Sequence, residues 1–258
     1  QMILINASKY GNKEIMELLI NKGSDINSKD KEGNTALIYA LKNEKKNIAE
    51  LLINKGANVN FKSNDGETVL MYALKYGNKE IMELLINKGA DVNFKDKEGN
   101  TALIHALKNG NKEIIELLIN KSADINSKDK DGQTPLMYAS GYGNKEIMEL
   151  LINKGSDINS KDKEGNTALI YALKNEKKNI AELLINKGAN VNFKSNDGET
   201  VLMYALKYGN KEISELLINK GVNFKSDEGK TVLMYYALKY GNKEILELLI
   251  KKGANIDY

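Results

Sequence analysis

The side chains in this 258-residue sequence that could do chemistry at regular spacing are its 13 tyrosines, its lysines and its one histidine, His105. Tyr39, Tyr72, Tyr138, Tyr171 and Tyr204 each stand immediately before an alanine, and His105 takes that place once. Tyr235 joins this row if the neighbouring Tyr236 is absorbed as an inserted residue. Four residues further on, Tyr10, Tyr76, Tyr142, Tyr208 and Tyr240 form a second row, and Asn43, Asn109 and Asn175 fill that place elsewhere. Positions i and i+4 share one face of a helix. Lys9, Lys42, Lys75, Lys108, Lys174, Lys207 and Lys239 lie beside them. Tyrosine supplies a large contact area at low entropic cost together with a hydroxyl, which suits recognition of a partner. The uniform row also fits a structural ladder; the alternating row is the better recognition candidate.

Catalytic chemistry finds little support. No cysteine occurs, which removes disulfides, thiolate nucleophiles and cysteine-based zinc sites. One histidine cannot build a multi-histidine metal centre, and His105 reads as a variant of the tyrosine place. Asp129-Lys130-Asp131-Gly132 resembles half of a calcium loop, but the loop's twelfth position holds Tyr138 instead of glutamate. The glycines are isolated, so no phosphate-cradling motif forms. No enzyme, cofactor or metal is expected. A net charge of +3 without any arginine disfavours nucleic acid. No apolar run approaches the about 20 residues of a membrane span, and no charged-then-apolar leader is present. Membrane insertion is therefore not expected, and a cytoplasmic setting is the default.

The elements that must carry these rows follow from internal repetition. Thr-x-Leu-(Ile/Met)-(Tyr/His)-Ala begins at Thr35, Thr68, Thr101, Thr134, Thr167 and Thr200, each 33 residues after the last, and a variant begins at Thr231. Leu37, Ile38, Ala40 and Leu41 are spaced for a short amphipathic helix with Thr35 as its N-cap. Ile48, Leu51, Leu52 and Ile53 define a second. Two helices of this length cannot bury a core alone, so neighbouring repeats must stack. Of 21 glycines, 20 punctuate the frame: before the threonine, between the helices, or after the second helix. Ser122 replaces one glycine at a helix end, and Glu44 and Glu176 replace two between helices.

From end to end the chain resembles the ankyrin-repeat family. The 33-residue length, Asp30, Gly33, Thr35 and Leu37 of the opening, and the Leu51 to Asn60 ending carry the likeness. The resemblance implies an all-α solenoid of helix–turn–helix units with a β-hairpin or turn. It also implies that the first helices line a concave groove, that the hairpin tips touch partners, and that the function is protein–protein recognition. One departure stands out. The family's T-P-L-H keeps its proline only at Pro135, and its histidine place holds Ile38, Met71, Ile104, Met137, Ile170, Met203 and Met234. Packing is expected to substitute for that histidine's hydrogen bonds.

The expected organisation is one repeat domain: a partial repeat at 1–28, then repeats at 29–61, 62–94, 95–127, 128–160, 161–193, 194–224 and 225–258. Residues 10–81 are identical to 142–213, an offset of four repeats that includes exposed positions. Recent duplication explains this most simply, and paired sites for a repetitive partner are the sharper alternative. Two residues are missing after Gly221 and one, Tyr236, is extra, so a stacking irregularity is expected near 220–240, absorbed by an earlier helix start or a π-bulge. Phe61, Phe94, Phe193 and Phe224 are expected to cover the hairpin bases. Neither chain end carries the polar outer face of a terminal repeat, which points to a longer array, covered ends or end-to-end self-association.

The candidate partner-binding set is Tyr10, Tyr39, Tyr72, Tyr76, His105, Tyr138, Tyr142, Tyr171, Tyr204, Tyr208 and Tyr240, with Lys42, Lys75, Lys108, Lys174 and Lys207. The rival to a recognition scaffold is an architectural spacer without a dedicated ligand.

Overall fold

The computed structural model describes residues 2–76, 78–222 and 227–253, with the side chains of Met2 and of residues 227–232 left out. Gly77, Phe224 and most of the deletion after Gly221 lie outside the described residues. Sixteen helices and no strand occur among those described, an all-α repeat solenoid. The chain divides into two compact units, residues 1–130 and 131–258, close to the period of the sequence duplication.

In the first unit, α1 (Met2–Tyr10), α3 (Ala36–Lys42), α5 (Val69–Lys75) and α7 (Ala102–Asn109) are the first helices of successive repeats, called A helices below. Each is followed by a B helix: α2 (Lys13–Asn21), α4 (Lys46–Asn54), α6 (Lys79–Asn87) and α8 (Lys112–Asn120). The second unit repeats the scheme. Its A helices are α9 (Pro135–Tyr142), α11 (Ala168–Lys174), α13 (Val201–Lys207) and α15 (Asp227–Lys239). Its B helices are α10 (Lys145–Asn153), α12 (Lys178–Asn186), α14 (Lys211–Asn219) and α16 (Lys243–Lys251). Within each unit A packs on A and B on B from one repeat to the next.

The helices start where side chains can take up orphan amides. Thr35, Thr68, Thr101, Thr134 and Thr200 accept from the third helical N–H, a cap contributing about 1 kcal/mol. Asn12, Asn78, Asn111 and Asn144 do the same for B helices. At α4 and α12 the cap is Lys45 or Lys177 and makes no such bond. Leu37, Ile38, Ala40, Ile48, Ala49 and Leu52 of one repeat are all buried, as the two-helix spacing requires. Met137 and Met203, in the family's histidine place, do more than pack. Their sulfur atoms accept from the Thr134 and Thr200 amides at 3.4 and 3.3 Å, so a weak acceptor partly replaces the histidine.

The glycine frame is conformational. Gly99 has φ +76°, and a Cβ there would lie 2.8 Å from the backbone nitrogen of Lys130 in the next turn. The non-glycine residues at positive φ among those described are Glu44 (55°), Ser122 (64°) and Glu176 (56°), the three that replace a punctuating glycine. The polar turns are tighter than a β-hairpin ladder: only isolated bridges, Lys62 to Thr68 and Lys194 to Thr200, occur among the described residues. Asparagines tie repeats together beneath them. Asn60 Oδ1 accepts from the Asp91 amide at 2.7 Å, and Asn93 and Asn159 repeat the contact one repeat on.

The irregularity near 220–240 takes the form of an early start. Helix α15 runs 13 residues and takes in Gly229 and Thr231, which the repeat pattern had placed in a turn and at a cap.

Candidate recognition surface

In α3, α7 and α11 the fourth helical residue lies back over the polar turn that precedes the helix. The Tyr39 hydroxyl donates to Asp30 Oδ2 at 2.6 Å. The other oxygen of Asp30 accepts from the amides of Glu32 and Asn34, both at 2.9 Å. Lys42 then donates to Asn34 Oδ1 at 3.2 Å. The same cluster recurs as Tyr171, Asp162, Asn166 and Lys174, with the hydroxyl bond at 2.7 Å. It recurs again with His105, whose Nε2 lies 2.7 Å from Asp96 Oδ2, and with Lys108 on Asn100. His105 is thus a tyrosine substitute, bound to the same carboxylate.

The electrostatics follow from these contacts. The hydrogen bond to Asp30, with burial adding to it, pushes the Tyr39 hydroxyl up to about 12. Burial and then Asp162 push Tyr171 higher still. Burial raises the Asp30 carboxyl, but the Tyr39 hydroxyl and the turn amides outweigh it and leave the group below its ordinary value.

Two repeats replace the aspartate of the turn by Ser63 or Ser195, and there the tyrosine sinks. Tyr72 and Tyr204 are only 3% exposed, so both must be struck from the side chains a partner could reach without rearrangement. The lysines bridge repeats: Lys9 lies 4.1 Å from the Tyr39 ring centre, Lys42 5.1 Å from Tyr72 and Lys174 5.3 Å from Tyr204. Lys207 turns instead to Glu199 at 3.4 Å, and Lys75 is exposed.

The second row is the accessible one. Tyr10 is 84% exposed, Tyr142 is more than half exposed and Tyr240 is exposed, while Tyr76 and Tyr208 are half-buried. Tyr208 stacks on Tyr204 with ring centres 6.4 Å apart. Tyr39, His105, Tyr138 and Tyr171 are half-buried. Tyr236, not Tyr235, stands before the alanine and takes the first-row place. Its hydroxyl donates to Glu199 Oε1 at 3.0 Å, whereas Tyr235 is turned out to solvent. Phe61 and Phe193 are buried, each beneath the lysine that opens its own repeat, Lys29 or Lys161.

Sequence reasoning gave Asp30 only a place in the repeat opening and passed over Asp96, Asp162 and Glu199. The signal was present, since an aspartate stands nine residues before the tyrosine or histidine at Asp30, Asp96, Asp129 and Asp162. No group of three or more histidine, aspartate or glutamate side chains among the described residues is arranged to hold a metal ion. No helix among them is long and apolar enough to cross a membrane.

Stacked helix pairs with capped starts, left-handed helix ends and polar turns define a helical repeat solenoid of the recognition type. The family described as ankyrin repeats, three copies to a match, fits residues 4–96, 43–129, 89–162, 123–195 and 187–258. The chain belongs to the ankyrin-repeat family, whose repeats generally serve as protein–protein interaction modules. No curated protein matches the chain.

Proposed function

We propose that the protein is a non-catalytic recognition scaffold that docks a protein partner on the A-helix face and polar turns of its units. The observation that carries this reading is the division of labour between the two tyrosine rows. The first row is tied to the protein's own turns or buried, while Tyr10, Tyr142 and Tyr240 spend large apolar rings on solvent. Tyr240 leans on Tyr236 with ring centres 5.9 Å apart, whereas exposed tyrosines such as Tyr10 and Tyr142 are well suited to act as anchors when a partner desolvates them. Tyr76 and Tyr208 add half-buried edges, and Lys42, Lys75, Lys108, Lys174 and Lys207 supply positive charge for orientation.

A photo-crosslinking residue placed at Tyr142 should form a covalent adduct with the partner protein in cells, and the same residue at Glu149 on α10 should not. Adducts from position 149 with none from position 142 would move the docking face away from the A helices. The spacer reading has its own support in the Tyr–Asp bonds and the Tyr204–Tyr208 stack, which serve the array itself. It gains if neither position yields an adduct.

A further inference from the structure

Within the first unit a cleft opens between the turn that joins α3 to α4 and the turn that joins α5 to α6. Its volume is about 270 Å³, and the buried side chains of Leu41 and Ala49 form its floor. Glu44, Tyr76 and the Lys46–Glu80 ion pair stand around it. Small-molecule sites are commonly about 300–1,000 Å³, so this cleft is of a size for one long side chain.

Two groups on its wall have no occupation within the protein. Glu44 holds a left-handed backbone at φ 55°, where Gly11, Gly110 and Gly143 stand in other repeats. That conformation destabilises a residue with a Cβ. Nothing in the fold offsets it, because the Glu44 carboxylate makes no hydrogen bond or ion pair among the described residues. Strain retained without structural benefit is a mark of binding sites. The second group is the half-buried ring of Tyr76. Its counterpart Tyr208 is engaged, stacked on Tyr204 with Lys207 5.9 Å from its ring centre. No ring or cation lies against Tyr76 among the described residues.

The neighbouring lysines leave the carboxylate uncompensated. Lys46 is held by Glu80 at 3.4 Å. Lys45 also borders the cleft, but its stem runs back over the preceding turn, where a Cβ at Gly11 would lie 2.9 Å from its Cδ. An apolar floor, an open aromatic face and an unpaired carboxylate together call for a long side chain with a flat cationic head.

We propose that this cleft takes an arginine side chain of a protein partner. The stem packs on Leu41 and Ala49, the guanidinium lies on the Tyr76 ring, and its fork pairs with Glu44. Lysine, a compact point charge, satisfies the carboxylate but not the ring as well. The proposal rests on the reading that the A-helix face docks a protein, and it names the side chain that one part of that face holds.

Titration of N-acetyl-arginine amide into the full, isotopically labelled chain tests this by NMR. N-acetyl-citrulline amide, its uncharged isostere, and N-acetyl-glutamate amide are the controls. The Glu44 and Tyr76 amide signals should shift with a dissociation constant on the order of 1 mM for the arginine probe, as one side chain in a shallow cleft allows. Citrulline should bind more weakly. Glu44→Gln and Tyr76→Leu should each weaken arginine about two- to fivefold with unchanged helical circular dichroism. Arginine binding no better than citrulline, or indifferent to Glu44→Gln, would overturn the proposal. Preference for the glutamate probe would overturn it too, assigning the cleft to Lys45 and an acidic side chain. The crosslinker at Tyr142 separates this proposal from the docking reading. Arginine shifts without adducts uphold the cleft and remove the docking face, whereas adducts without shifts uphold the face and overturn the cleft.

Discussion

The Tyr39 hydroxyl donates to Asp30 Oδ2 across 2.6 Å, joining the middle of α3 to the polar turn nine residues earlier. Because Asp30 also accepts two turn amides through its other oxygen, one carboxylate organises the turn and fixes the helix to it. The bond recurs at Tyr171 and, through imidazole, at His105. A tyrosine that looks like a ligand anchor in the sequence is, in these repeats, a strut.

Tyr39→Phe removes the donor and leaves the ring. A hydrogen bond to a charged group contributes more than a neutral one, so the variant should lose about 1–2 kcal/mol in urea unfolding. Asp30→Ala should lose more, because two turn amides lose their acceptor as well. An unchanged midpoint in both would show that the turn holds without the strut.

Alkaline pH should act through the same bond. The Tyr39 hydroxyl is raised from 10 to about 12 in the folded chain, so the unfolded chain releases this proton first. The contribution is complete below pH about 10 and is lost as pH climbs towards about 12. Asp30 works in the opposite direction: its folded value is lowered, so its contribution fades as pH falls below the ordinary carboxylate range. Unfolding midpoints of wild type and Tyr39→Phe, measured across pH, should converge towards pH 12.

Glu44, Glu176 and Ser122 hold a left-handed backbone that the corresponding glycines adopt without steric cost. Relief of that strain exceeds the added freedom of the unfolded chain, so each change to glycine should stabilise by about 0.5–1 kcal/mol. Glu44→Gly and Glu176→Gly lie far apart in sequence, and their effects should add. Thermal melts of the two singles and the double check both statements.

Much of the fold could be read from the sequence because a 33-residue period places glycine, threonine and leucine where turn, cap and core require them. Even the three strained residues could be named, as departures from the glycine frame. The tyrosine rows were legible as rows, but not their burial. Tyr39 and Tyr72 occupy the same place in consecutive repeats, yet one is half exposed and the other buried. That difference lies in whether the turn offers an aspartate, as at Asp30, or a serine, as at Ser63. The absorption of Tyr236 was legible as a choice between an earlier helix start and a π-bulge, but the choice itself was not, because it depended on how far α15 could extend towards its N-terminus.

The central claim is that the second tyrosine row faces a partner and not the protein's own core. Tyr10→Ala/Tyr142→Ala tests it most directly, with partner affinity and melting temperature measured on the same preparation. The account expects at least a tenfold loss of affinity, about 1.4 kcal/mol or more, with a melting temperature close to wild type. Unchanged affinity, or a collapse of stability that accounts for the loss, would contradict it.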